Sequence, residues 1–164
     1  MKKETLFVAI AVKSFYFLAF LLITCSIAAA TPLSSQNGTI SSIQNGPDGK
    51  PAWKVSGTWN LINLSSKFPT FNASFDMMKL DGSSKHKHTV TATITSADSK
   101  VAGKSSTRTY SGTATISMKE GPISNVPIVI KQSSDGNMSI MPDPIKTKGH
   151  FGNTPIQGKT NMSS

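Results

Sequence analysis

Apolar residues in this chain recur at every second position, and beyond residue 38 no stretch keeps helical spacing for even three turns. A period of two makes a ribbon with one dry face and one wet face, which is the signature of a half-buried β-strand. Trp53, Val55, Gly57, Trp59 and Leu61 share one face, while Lys54, Ser56, Thr58 and Asn60 share the other. Phe71, Ala73, Phe75 and Met77 repeat the pattern. Val90, Ala92 and Ile94 do so again, with Thr89, Thr91 and Thr93 outward. Tyr110, Gly112, Ala114, Ile116 and Met118 mark a fifth strand, and Val126, Ile128 and Ile130 a sixth. Thr39–Gln44, Met138–Met141 and Thr154–Lys159 supply short first, seventh and eighth strands.

Gly, Pro, Asn and Asp punctuate these runs, as in Asn45-Gly46-Pro47-Asp48-Gly49 and Leu80-Asp81-Gly82-Ser83-Ser84-Lys85. Such turn chemistry joins antiparallel neighbours. One wet face per strand argues against a parallel sheet covered on both sides. The expected fold is therefore all-β: a single antiparallel β-sandwich or small β-barrel of seven to eight strands. Burying Trp53, Trp59, Phe71 and Phe75 is worth on the order of 15–25 kcal/mol before entropy, which suffices for a domain of this size without disulfides. Pro127 inside the sixth strand implies an edge strand or a bulge, because proline cannot donate to the ladder.

The expected organisation is a signal peptide over 1–30, a small-residue linker over 31–38, the all-β domain over 39–160 and a tail over 161–164. Lys2 and Lys3 form a basic start, Phe15–Ile27 an apolar run, and Ala28-Ala29-Ala30 a small-residue cleavage site before Thr31. Lys13 interrupts the apolar run and leaves it short for a bilayer span of about 20 residues. Cys25, the only cysteine, sits inside this segment, where Leu22-Ile23-Thr24-Cys25 faintly resembles a lipoprotein box. A mature chain without cysteine has no disulfide, no thiol nucleophile and no thiolate metal site. The expected location is secreted or cell-surface, with membrane attachment only through an uncleaved or lipidated signal. Five N-x-[ST] sequons, at Asn37, Asn63, Asn72, Asn137 and Asn161, are glycosylation candidates in an exported chain.

Seventeen basic and eight acidic residues give a net charge of +9. Without the signal, fourteen bases stand against seven acids. The lysines are spread along the chain and Arg108 is the only arginine after the signal. Nucleic-acid readers cluster such charges and rely on arginine, so a nucleic-acid partner is not expected. An anionic cell-surface polymer or a surface protein fits better. Asp48, Asp81, Asp98 and Asp135 are assigned to turns. No two acids have a reason to converge and no serine lies in a nucleophile motif, so the chain is not read as an enzyme.

All three histidines, His86, His88 and His150, fall in the mature chain. His-x-His on a strand sets two imidazoles on one face, about 6.5–7 Å apart. Counting back by twos from Ile94 places both on the apolar face. With Asp81–Ser84 as a four-residue loop, Leu80 pairs with Lys85 and Met77 faces His88. A shift of two residues puts Met77 opposite His86 instead. Either way a thioether lies beside an imidazole, a donor pair that favours copper, especially Cu(I). His150 is a third ligand if residues 148–152 fold back over the barrel mouth. Affinity should then fall as pH drops through about 6.5, the ordinary imidazole value.

Three stretches together resemble small secreted β-rich proteins of ammonia-oxidising archaea (Thaumarchaeota): Pro51-Ala52-Trp53…Ser56-Gly57-Thr58-Trp59, Asp81-Gly82…His86-Lys87-His88 and His150-Phe151-Gly152-Asn153-Thr154-Pro155-Ile156. The resemblance covers most of residues 39–158. It implies an exported compartment and a β-rich fold, and no reaction. Because such organisms depend on copper enzymes, it also adds to the case for copper, by analogy alone. Two functions result. The first is a noncatalytic exported binding or surface-interaction domain. The alternative is an extracytoplasmic copper-type metal-binding protein using His86, His88, Met77 and His150. What separates them is whether His150 comes within ligand reach of the other two.

Overall fold

The computed structural model describes residues 34–161. The signal segment with Cys25, residues 31–33 of the linker and residues 162–164 of the tail lie outside the described residues. Eight strands follow one another: β1 (Gln36–Asn45), β2 (Pro51–Ile62), β3 (Thr70–Lys79), β4 (Lys85–Ala102), β5 (Ser105–Ile116), β6 (Ile123–Ser133), β7 (Asn137–Pro142) and β8 (Ile156–Thr160). Each pairs antiparallel with the next, and β8 returns to pair with β1. An even number of up-and-down strands lets the last meet the first in antiparallel register. The sheet therefore closes into a barrel and the sandwich alternative is excluded.

The alternation read from the sequence sets what faces inward. Val55, Trp59, Leu61, Phe71, Ala73, Phe75, Val90, Ala92, Ile94, Tyr110, Ala114 and Ile116 fill the interior. Thr58, Thr89, Thr91, Thr93, Thr113 and Thr115 face out. A membrane-spanning barrel requires the opposite arrangement, apolar outside and polar inside.

Four expectations are corrected or narrowed to one of their alternatives. β1 begins at Gln36, so Gln36–Gly38 belong to the barrel rather than to the linker; Gly38 pairs with both Trp59 and Thr160. β6 lies between β5 and β7 and is no edge. Pro127 instead sits beside a register slip between Ala114 and Ile116, one residue past the last β6–β7 pair, Ile128–Pro142. Its missing N–H falls where that ladder has ended. Asp98 is a strand residue opposite Thr109 on the long β4–β5 hairpin, not a turn residue. The other three aspartates accept from backbone two residues on, as turn aspartates do: Asp48 from Lys50, Asp81 from Ser83 and Asp135 from Asn137.

The β3–β4 register is the fourth. Met78 pairs with Lys85 and Met77 with His86, so the two-residue shift is correct and the Leu80–Lys85 pairing is not. The Lys79 amide donates to the Ser84 carbonyl at 2.9 Å and closes the hairpin in this register, while the Leu80 amide donates to the Ala52 carbonyl of β2 at 3.0 Å. Gly82 takes the left-handed turn position (φ 75°), with its amide on the Lys79 carbonyl at 2.9 Å.

Candidate metal centre at the barrel mouth

His86 and His88 lie on the inward face of β4 at the end of the barrel nearest the β3–β4 turn. His88 is the deeper of the two, only 2% exposed, and His86 is half-buried at the rim. Phe75 and Phe151 flank the His88 ring, with centroids 5.7 and 4.9 Å away. Trp53 meets His86 edge-on at 5.2 Å. Lys85 and Lys87 point away from the site, Lys85 to an ion pair with Asp76 at 3.1 Å.

His150 reaches the pair through the β7–β8 connection, which folds back by a series of tight turns. The Asp143 carboxylate accepts from the Lys146 amide at 2.8 Å, and its carbonyl accepts from the Thr147 hydroxyl at 2.9 Å. The His150 amide donates to the Thr147 carbonyl at 3.0 Å and the Gly152 amide to the Gly149 carbonyl at 2.9 Å. Lys148, Gly149 and Gly152 all adopt positive φ, at 51°, 70° and 75°. Only such reversals aim a loop side chain inward over the mouth, and the two glycines adopt them without steric cost. Phe151, 2% exposed, anchors the segment to the core.

The three rings converge on their Nε2 atoms. His150 Nε2 is 3.0 Å from His88 Nε2 and 3.3 Å from His86 Nε2. All three ligand nitrogens lie within 4.8 Å of one another. Two nitrogens on one tetrahedral ion, each about 2.0–2.1 Å from it, are about 3.3 Å apart. Two of the separations already match, and a small inward pivot of His86 at the rim completes the set.

The hydrogen bonds of the cluster fix the state of one ring. The His88 Nδ1 stands 2.7 Å from the Ser117 carbonyl oxygen, which can only accept, so Nδ1 carries the proton and donates. In a neutral ring the Nε2 of His88 is then a bare lone pair aimed at His150. His150 Nε2 has one in-plane position, a proton or a lone pair, and faces two nitrogens. With its proton there, His150 Nε2 donates to the bare His88 Nε2 at 3.0 Å, and the His86 contact at the exposed rim falls to a shared proton or to water. A cation that accepts all three lone pairs satisfies every one. The bond from Nδ1 to a backbone carbonyl is also the usual way a metal-bound histidine is oriented.

Desolvation and crowding disfavour the charged forms of His88 and of His150, although His150 keeps an exposed edge. Desolvation is the main cause that lowers the His88 pKa, ahead of the like charge of His86 and against the Ser117 bond, which raises it. Desolvation, then the like charges of His88 and His86, push His150 down to about 4. These two rings therefore resist protons to a pH below the ordinary imidazole value. Stability follows the same sign. Folded values below the unfolded 6.5 mean that the unfolded chain takes up protons first. Stability is thus full above about 6.5 and declines as pH falls toward about 4, where His150 protonates in the fold. Thermal unfolding of the metal-free protein should therefore show a midpoint that drops between pH 7 and 5. His150→Gln should flatten the drop; identical profiles for the two proteins would contradict the assignment.

Met77 lies on the inward face, 1% exposed, as the cross-strand partner of His86. It lines, with His86, His150 and Trp53, an open cavity of about 570 Å3 at the mouth. Gln44 closes the cavity's side: its amide nitrogen donates to Ser42 at 3.0 Å and to the Pro155 carbonyl at 3.3 Å, and its oxygen accepts from Thr154 at 2.9 Å. All four metal candidates read from the sequence thus gather at one mouth. The glycosylation candidates do not: Asn37 and Asn161 bond to each other at 2.7 Å, Asn72 faces out from β3, Asn137 bonds to Asp135, and Asn63 holds a turn at φ 60°.

The chain matches no family model, no curated protein and no solved structure. The site is therefore interpreted from its own geometry. Ser117, Trp53, Phe151 and Lys148 were not singled out as site residues by the sequence. Trp53 and Phe151 looked like ordinary core and motif aromatics, and nothing local distinguishes a backbone carbonyl that receives an imidazole.

Proposed function

We propose that this protein is a noncatalytic exported binding domain whose ligand is a transition-metal ion, held by His86, His88 and His150 at the mouth of the barrel. The observation that carries the reading is the convergence of three Nε2 atoms, one of them, on His88, a lone pair fixed by the Ser117 bond. Three imidazoles suit copper, zinc, iron or nickel and not magnesium or calcium. The thioether of Met77 beside His86 tips the choice to copper, and to Cu(I) in particular. A hydrogen-bonded histidine cluster without metal is the competing reading, and titration with metal separates the two.

Calorimetric titration of the protein with Cu(I) under reductant, Cu(II), Zn(II) and Mg(II) tests this. One tightly bound copper per chain and no response to magnesium is the expected result. Met77→Leu, which conserves volume, should weaken Cu(I) binding more than Zn(II) binding. Absence of saturable binding by both copper and zinc would end the reading.

A further inference from the structure

We propose that, in the Cu(II) form, a coordination position beyond the protein donors is filled from outside the chain, by the carboxylate of a small organic anion lodged in the mouth cavity. This rests on the metal reading above and extends it to a second ligand. The protein donors are three neutral imidazoles and one adjacent neutral thioether, so the ion's charge is not offset by its ligands. Among the described residues no carboxylate lines the cavity, and the one charged lining residue is Lys148. A second lysine, Lys79, lies with its Nζ 5.8 Å from the centre of the Trp53 ring that abuts His86. Asp76 is on the outer face, opposite Lys87 and paired with Lys85. In the Cu(II) form a divalent ion here has only neutral protein donors, and the carboxylate of the 46–49 turn, that of Asp48, is held by the Lys50 amide at 3.1 Å, so the ion draws an anion.

Space favours an organic anion over hydroxide alone. About 570 Å3 falls within the range of roughly 300–1,000 Å3 typical of small-molecule sites. The histidines close only one side of that space. Its other walls are the 46–49 turn and the 148–154 segment, rich in glycine, with Asn45, Asn153 and Thr154 to hydrogen-bond a polar guest. The ion is thus open toward the cavity, and a carboxylate there bonds the metal with one end while Lys148 stands at the rim to attract it.

Azide serves as a coloured stand-in for the carboxylate. The Cu(II)-loaded protein, its copper measured at one per chain, is titrated with azide and then with acetate, followed by absorption and electron paramagnetic resonance. The expected result is an azide-to-copper charge-transfer band that saturates at one azide per copper and is displaced by acetate. Lys148→Gly removes the charge while retaining a residue that tolerates φ 51°. It should weaken azide binding by up to about fivefold, the effect of one screened charge at a rim. A spectrum unmoved by azide in protein that holds one copper per chain overturns the proposal and leaves the metal site standing. Protein that takes up no copper overturns the metal reading, and this proposal with it.

Discussion

Replacing His88 by alanine is expected to lower copper affinity by at least about a hundredfold, beyond the 10–100-fold that loss of an outer-shell partner costs. His88 is the ligand that the rest of the protein holds most firmly. Its Nδ1 is fixed on the Ser117 carbonyl and its ring is clamped between Phe75 and Phe151. Removing it leaves His86 and His150 with no rigid third nitrogen. His150→Ala should have a comparable effect, because His150 is the nitrogen that both others approach. Lys87→Ala, on the outer face, should leave binding unchanged or slightly stronger. His88→Gln, similar in bulk, guards against a simple packing defect: circular dichroism should report an intact barrel while binding is still lost. Wild-type affinity in both His88 variants would reduce the cluster to ordinary strand residues.

The largest stability effect is expected at an inward glycine. A Cβ on Gly57 would overlap the Ser74 carbonyl oxygen and stand 2.6 Å from the Phe75 Cα, both on the neighbouring strand. Neither is a flexible side-chain tip that could swing away. Gly57 lies between Val55 and Trp59 on the inner face, where the missing side chain lets β2 and β3 coil closely enough for the barrel to close. Gly57→Ala should cost at least about 3 kcal/mol, and Gly57→Val should prevent folding, given typical total stabilities of about 5–15 kcal/mol. Gly112, against Thr93 and Ile94 of β4, should behave alike. Gly49→Ala is the contrast. Its φ is 77° but no atom lies within 4 Å, so only the backbone strain of about 1 kcal/mol remains. Denaturant unfolding measures all three, and a Gly57→Ala protein as stable as wild type would refute the argument.

The alternation of Trp53 to Leu61, Phe71 to Met77 and Val90 to Ile94 was enough to assign strands, faces and antiparallel order. Each is a local property with a period of two, and a strand's inward set cannot change without turning polar residues into the core. The placement of His86 and His88 on one inward face followed from the same parity. Register was harder to read. Shifting the β3–β4 pairing by two residues keeps every apolar contact, so the sequence could not choose between Met77 facing His88 and facing His86. The folded hairpin shows that choice: the Lys79 amide closes it on the Ser84 carbonyl at 2.9 Å, in step with Met77 opposite His86.

Closure and convergence belong to the tertiary structure alone. Whether eight antiparallel strands stack as two layers or close into a barrel depends on β1 meeting β8, residues more than a hundred positions apart. His150 is 62 residues from His88, and its approach depends on Asp143 organising a turn and on three positive-φ residues reversing the chain. The Ser117 carbonyl that fixes the His88 proton comes from yet another connection, after β5. Periodicity and turn chemistry act over a few residues, so the sequence by itself determined the strands and which way the histidine pair points. The distance between imidazoles is set by how distant segments pack, so only the tertiary structure could make three separate histidines into one site.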